Sequence, residues 1–212
     1  AQLSRSCVLL LAIMVPATVG IAMLAPALAR LCVSPDYVEP VSGLIAWMAV
    51  AAFVLNFRAN YVDHGFHFGN TTARLTIVIA TRTVANLAAD LVLIPRYGAL
   101  GAAQASIIAG IIGLVHATVA ARSLVVLPFP KAEIAKVLFA ALAMALFLWP
   151  FREATSLVME RHEKPWGAIL GIGVLLFQVG GGATVFGIVA LALNVMNLRG
   201  LAAARFSAFR AR

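Results

Sequence analysis

Arg82, Asn86 and Asp90 place three polar side chains at intervals of four residues inside an otherwise apolar stretch of the sequence. In an α-helix each such step drifts by only about 40° around the axis, so the three side chains share one face over about two turns. Arg82 and Asp90 would lie about 12 Å apart along the axis, which is too far for direct contact, and Asn86 between them can bridge. The spacing therefore predicts a row of charged and amide groups along one helix face, which we call the polar stripe.

The polar stripe has two physical interpretations. A charged residue at the centre of a membrane helix costs about 2.5–3.5 kcal/mol on translocon scales, so the stripe should face protein or water. One interpretation is a water-filled cavity that holds an anionic headgroup or passes a coupling ion. The other is a polar clamp between helices, for which the candidate partners are Arg58, Asn60 and Gln104.

The composition indicates which class of protein contains this stripe. Of the 212 residues, 63% are hydrophobic and 11% are charged, and the mean hydropathy is +1.00. A soluble domain is about 45–50% apolar and about 25% charged, so this chain has too little polar surface to cover a water-soluble body. We predict an all-α integral membrane protein. The net charge of +8 is scattered between apolar stretches, which favours lipid headgroups as partners and not nucleic acid.

Six apolar stretches are long enough to be membrane helices, since about 20 residues cross a bilayer. The first lies between Arg5 and Arg30, and the others cover about residues 41–61, 73–94, 100–121, 134–149 and 166–195. The polar stretch 150–165 predicts an interfacial helix or loop. We divide the chain into four transmembrane helices in 1–127, two more in 128–199, and a basic cytoplasmic tail in 200–212.

The positive charges predict the orientation of these helices. Nine lysines and arginines lie on the side of the termini and five lie on the opposite side. The positive-inside rule then places both termini in the cytoplasm. The chain begins at Ala1 without an initiating methionine, and we expect a fragment, the C-terminal part of a larger transporter.

A Pro-x-x-Gly-x-x-Gly break follows the polar stripe. Pro95 is expected to end the third helix, and Gly98 and Gly101 bracket the turn before small residues open the fourth. Small residues let helix backbones approach closely, so the segment predicts a tight helical hairpin. The three glycines at 180–182 predict either a flexible point or a close helix contact, and Gln178 beside them can bond across helices.

Two segments resemble a known family. NLAADLVLIPRYGALGAAQASIIAG, residues 86–110, is similar to the pattern N…L…LIPxxGxxGAAxAT of polysaccharide-export flippases in the MATE-like superfamily of multidrug, oligosaccharidyl-lipid and polysaccharide exporters. LLLAIMVPATVGIAMLAPALARLCVSPDY, residues 9–37, resembles the segment lPxxxGxxxLAPxLxxLxxxxxY of the same family. The resemblance covers about residues 8–125.

The resemblance implies that this chain corresponds to about helices nine to fourteen of a two-lobe transporter with fourteen helices. It implies a flippase that moves a lipid-linked oligosaccharide of the undecaprenyl-diphosphate type across the cell inner membrane by alternating access. The partners would be this lipid and a missing N-terminal lobe. In that interpretation the candidate residues for substrate or a coupling ion are Arg82, Asn86, Asp90, Arg58 and Gln104.

Two alternatives stay open. A transporter of the same fold could carry another cargo, as a drug antiporter or a peptidoglycan-precursor flippase does. A membrane enzyme of polysaccharide assembly would need a cluster of acids, histidine and arginine, and the stretch 150–165, with His162, has no recognisable catalytic arrangement.

His64 and His67 could share a helix face and bind a metal, but Gly65 and Gly69 break the helix and no further ligand is near. We therefore predict no enzyme activity, no cofactor and no metal site.

Overall fold

The computed structural model describes residues 2–63, 66, 72–122, 128–161 and 166–195, and every regular element within them is helical. The α-helices are α1 (Gln2–Cys32), α2 (Val38–Phe57), α3 (Thr72–Tyr97), α4 (Ala99–Arg122), α5 (Lys131–Leu148), α6 (Ala154–Arg161) and α7 (Trp166–Ala192). A 3-10 turn at Pro35–Tyr37 leads into α2, a π-turn at Arg58–Val62 ends it, and a 3-10 turn at Trp149–Phe151 extends α5.

Six of these helices are long and apolar enough to cross a membrane. The candidate spans are Leu3–Cys32, Pro35–Val62, Ala73–Tyr97, Ala99–Arg122, Lys131–Phe151 and Ile169–Ala192. By length and composition, the prediction of an all-α protein with six membrane helices is confirmed. The predicted tail, residues 200–212, lies outside the described residues.

The predicted end of the third helix was wrong. Pro95 lies inside α3, which continues to Tyr97. Proline lacks an N–H and its ring crowds the carbonyl four residues earlier, but a membrane helix can continue past it when neighbouring groups satisfy the freed carbonyl. The helix ends where Gly98 adopts a left-handed φ of 58° and its N–H donates to the carbonyl of Ile94 at 2.8 Å. This is the usual role of glycine just beyond a helix C-terminus.

Helix α1 lies at the centre of the bundle. It packs against α2 on one side and against α5 and α7 on the other, while α4 packs on α2 and α3 packs chiefly on α4. The main apolar core joins the first turns of α1, the last turns of α2, α4 and α7, and the start of α5, for example through Cys7, Tyr61, Ala117 and Val137. The start of α1 and the end of α7 therefore meet at the same end of the bundle.

Close helix contacts occur where the sequence carries glycine. A Cβ at Gly101 would collide with the carbonyl oxygen of Leu93, which confirms the tight hairpin between α3 and α4. A Cβ at Gly181 would lie 3.0 Å from the ring of Phe147. The glycines at 180–182 lie within the unbroken helix α7, and Gly181 and Gly182, but not Gly180, form close contacts with α5.

Helix α6 is the short helix in the polar stretch between the last two spans, and hydrogen bonds to one glutamine join this helix and the 3-10 turn before it to α7. Gln178 is 1% exposed, and its Nε2 donates to the carbonyl of Phe151. Thr155, which is fully buried, donates through Oγ1 to Oε1 of Gln178 at 3.3 Å. Gln178 therefore bonds across helices, as its position suggested.

Candidate functional site

The polar stripe occupies one half-buried face of α3, as its spacing predicted. Asn86 donates through Nδ2 to Oδ2 of Asp90. The aliphatic stem of Arg82 lies against Gly113 of α4, where a Cβ would come within 3.1 Å of the Cβ of Arg82. The stripe thus faces the neighbouring helix, and the missing side chain at Gly113 makes room for Arg82.

Two buried atoms of the stripe have no hydrogen-bond partner among the described residues. They are Nε of Arg82, a donor, and Oδ1 of Asp90, an acceptor. A buried polar atom without a partner costs about 1–3 kcal/mol, more when the group is charged. The contact between α3 and α4 therefore buries one cationic donor and one anionic acceptor that no described residue satisfies.

Arg58 belongs to a different place in the fold. Arg58 is 6% exposed, and its guanidinium pairs through Nη2 with Oδ2 of Asp63 at 3.5 Å. The pair depends on the π-turn, in which the N–H of Asp63 donates to the carbonyl of Arg58 at 3.0 Å. In an ordinary α-helix, residues five apart are about 140° apart around the axis, whereas the wider turn brings them together. Within the described chain, Nε and Nη1 of Arg58 have no partner.

The suggested partners of the stripe do not meet it. Gln104 is half-buried on α4, and no hydrogen bond joins it to Arg82, Asn86 or Asp90 in the described part of the chain. Asn60 instead donates through Nδ2 to the carbonyl of Asn56 at 2.9 Å. The structure groups the five candidates into the stripe, an Arg58–Asp63 ion pair and a separate glutamine.

An apolar cleft along α1 was not predicted from the sequence. It is an open cleft whose floor is α1, with α2 as one wall and α5 and α7 as the other. Two adjoining cavities of about 440 and 340 Å³ form it, and both are lined by Ala17 and Ile21. The sequence signal was the pair of small residues Ala17 and Gly20, which lie three apart on one face of α1 and line the cleft.

The polarity of the side chains that line the cleft changes along its length. Next to α5 and α7 it is lined by apolar side chains, including Leu24, Met144 and Val179. Next to α2 it also contains Asn56 and Asn60, two amides in a span that is otherwise apolar. The cleft can therefore accept an apolar chain over most of its length and a polar group at the end near the π-turn.

No metal site is found in the described part of the chain, since it holds no group of three or more histidine, cysteine, aspartate or glutamate side chains that could bind a metal ion. His64 and His67, the weak candidates, lie outside the described residues.

No family model, curated protein or solved structure matches this chain, so its function is inferred from the residues and their geometry.

Proposed function

We propose that this chain moves a lipid-linked oligosaccharide or polysaccharide precursor across the cell inner membrane by alternating access, as the C-terminal part of a MATE-like two-lobe transporter. The observation that carries the proposal is the open cleft along α1. An isoprenoid lipid has a long apolar chain joined to a strongly polar head, and the cleft has an apolar length and an amide-bearing end. The resemblance of residues 8–125 to polysaccharide-export flippases points the same way.

The polar groups inside the spans have roles in this proposal. Arg82, with an unpartnered Nε, lies on α3 outside the lining of the cleft, and in this proposal it supplies positive charge for the diphosphate in another state of the transport cycle. An arginine can form two parallel hydrogen bonds to a phosphate, which makes it suited to this ligand. Asp90, which accepts a hydrogen bond from Asn86, is either the counter-charge of Arg82 or a site that takes up a coupling proton.

A lobe supplied by the missing N-terminal part would close the open side of the cleft. Helix α3 gives a second surface of this kind, because Val84, Leu87 and Leu91 are 67%, 61% and 70% exposed. Such apolar faces are covered by lipid or by another helix, since the bilayer provides no water to them. In the proposal the second lobe and the bilayer share these surfaces.

The test is to fill the cleft. Ala183 of α7, which lines the apolar part of the cleft, is changed to tryptophan in the full-length protein. The matched control is Ala135→Trp, on the exposed face of α5 that points away from the cleft. Flipping of a fluorescent lipid-linked oligosaccharide is measured in proteoliposomes. We expect Ala183→Trp to abolish flipping and Ala135→Trp to preserve it, with both proteins folded. Normal flipping by Ala183→Trp would remove the cleft from the transport path.

One observation favours a second candidate, a same-fold antiporter that exchanges a drug for a proton or ion. The unpartnered Oδ1 of Asp90 gives α3 an acidic group that could bind the coupling ion. Proteoliposomes with an imposed pH gradient separate the two functions. An antiporter would accumulate a cationic dye and leave the oligosaccharide lipid in place, whereas the proposed flippase would do the reverse.

A further inference from the structure

A second concave site lies at one end of the bundle, away from the polar stripe and the apolar cleft. It is a cavity of about 580 Å³ where the end of α1, the start of α2 and the segment between α5 and α6 meet. This volume is within the range of sites that bind small molecules, about 300–1,000 Å³. The lining residues are Pro26, Arg30, Pro35, Val38, Glu39, Ser42, Arg152, Glu153 and Leu157.

The position of this cavity fixes its depth in the membrane. The candidate spans Leu3–Cys32 and Lys131–Phe151 end beside it, and Pro35–Val62 begins there. Tyr37 and Trp149 are 62% and 64% exposed at the same level. Tyrosine and tryptophan concentrate at the boundary between hydrocarbon and headgroups, so the cavity lies at the depth of lipid headgroups.

The charges of the cavity are balanced. Arg30 and Arg152 supply two cations, and Glu39 and Glu153 supply two anions. Among the residues that the structure describes, the side chains of Arg152 and Glu39 form no hydrogen bond or ion pair, so one group of each sign is available to a ligand. A ligand that carries both charges would satisfy both groups, whereas an anion alone would be repelled by the glutamates.

We propose that this cavity binds the zwitterionic phosphoethanolamine headgroup of a membrane lipid. The planar fork of arginine matches the phosphate oxygens, and a glutamate accepts hydrogen bonds from the primary ammonium. A choline headgroup has the same net charge but no N–H to donate, and a glycerol headgroup has no cation. The apolar edge of the cavity, with Val38 and Leu157, faces the part of the lipid nearest its acyl chains. The proposal does not depend on the transport of a lipid-linked sugar.

The experiment uses native mass spectrometry of the purified full-length protein. The protein is released from micelles that contain equal amounts of phosphatidylethanolamine, phosphatidylcholine and phosphatidylglycerol with identical acyl chains. We expect selective retention of phosphatidylethanolamine, and a decrease in its retention by about threefold in Arg152→Gln and in Glu39→Gln, since an exposed ion pair contributes about that factor. Arg96→Gln and Asp36→Asn are matched controls, exposed at the same end of the bundle but not part of the cavity.

Soluble competitors distinguish the lipid headgroup from a free phosphate. Glycerophosphoethanolamine should displace the retained lipid, while glycerophosphocholine and inorganic phosphate at the same concentration should not. Equal retention of the three lipids would overturn the proposal, as would unchanged retention in Arg152→Gln and Glu39→Gln. Displacement by inorganic phosphate alone would also overturn it, because the site would then recognise only an anion.

Discussion

Arg82 and Asp90 each keep one buried atom without a partner among the described residues, although Asn86 is bonded to Asp90. If Arg82 binds a diphosphate, its charge matters more than its packing. We therefore expect Arg82→Lys to retain part of the transport, because lysine keeps the charge but not the planar fork, and Arg82→Ala to lose it. The measurements are polymer export in a strain that lacks the native flippase and the membrane level of each variant. Full export by Arg82→Ala at a normal level would leave the stripe as a packing clamp.

Substitutions of Asp90 distinguish between the two roles proposed for its carboxylate. If it is the counter-charge of Arg82, Asp90→Asn should lower the amount of folded protein, and the double change with Arg82→Gln should restore it. If it binds a coupling proton, Asp90→Asn should keep normal expression and abolish the pH dependence of transport. Expression and transport measured over a range of external pH distinguish these outcomes, and a variant with both properties unchanged would contradict each role.

At the residue scale, we expect the buried Arg58–Asp63 ion pair to stabilise the folded protein. Arg58 and Asp63 are 6% and 8% exposed, so removing one partner leaves the other charge buried. Breaking a buried ion pair in this way costs about 3–5 kcal/mol, whereas replacing both charges with apolar groups is often neutral. We expect Arg58→Leu to unfold at a clearly lower temperature and Arg58→Leu with Asp63→Leu to recover most of the difference. Equal unfolding temperatures for the wild type and Arg58→Leu would show that the pair contributes little.

At the scale of elements, the hairpin between α3 and α4 contains two glycines with different tasks. Gly98 is in a left-handed conformation, and a Cβ added there would meet no atom within 4 Å, whereas a Cβ at Gly101 would collide with the Leu93 carbonyl. Gly98→Ala should therefore cost about 1–2 kcal/mol of backbone strain alone. Gly101→Ala should be more harmful, because it separates the two helices, and Gly101→Leu more harmful still. Thermal unfolding of the purified variants ranks them, and a larger effect at Gly98 would contradict this division of tasks.

At the scale of the whole molecule, the charge distribution predicts which end of the bundle is outside the cell. The C-terminal ends of α1 and α3 lie at one end of the bundle. The C-terminal end of α4 and the N-terminal end of α5 lie at the opposite end. Cys32 is exposed and Cys7 is buried, so Cys32 is first replaced by serine. An impermeant thiol reagent should then label cysteines placed at Asp36 and Arg96 in intact cells, and not those at Arg122 and Lys131. The reverse labelling would overturn the predicted orientation and with it the numbering as helices nine to fourteen.

The local features of this protein could be predicted from its sequence. The number of membrane helices follows from apolar length, because the thickness of a bilayer sets the length of a span. The common face of Arg82, Asn86 and Asp90 follows from helical periodicity, and the close hairpin follows from its small residues. Each of these depends on residues near one another in the chain.

The tertiary structure decided everything that depends on which helices meet. The sequence offered Arg58 and Gln104 as partners of the stripe, but packing pairs Arg58 with Asp63 and places the stem of Arg82 on Gly113. The apolar cleft and the charged cavity each combine residues from distant parts of the chain, such as Ala17 with Ala183 and Arg30 with Arg152. Helical periodicity fixes the face on which a side chain lies, whereas its neighbour is fixed only when apolar helices pack together, and many pairings of such helices satisfy the same apolar pattern.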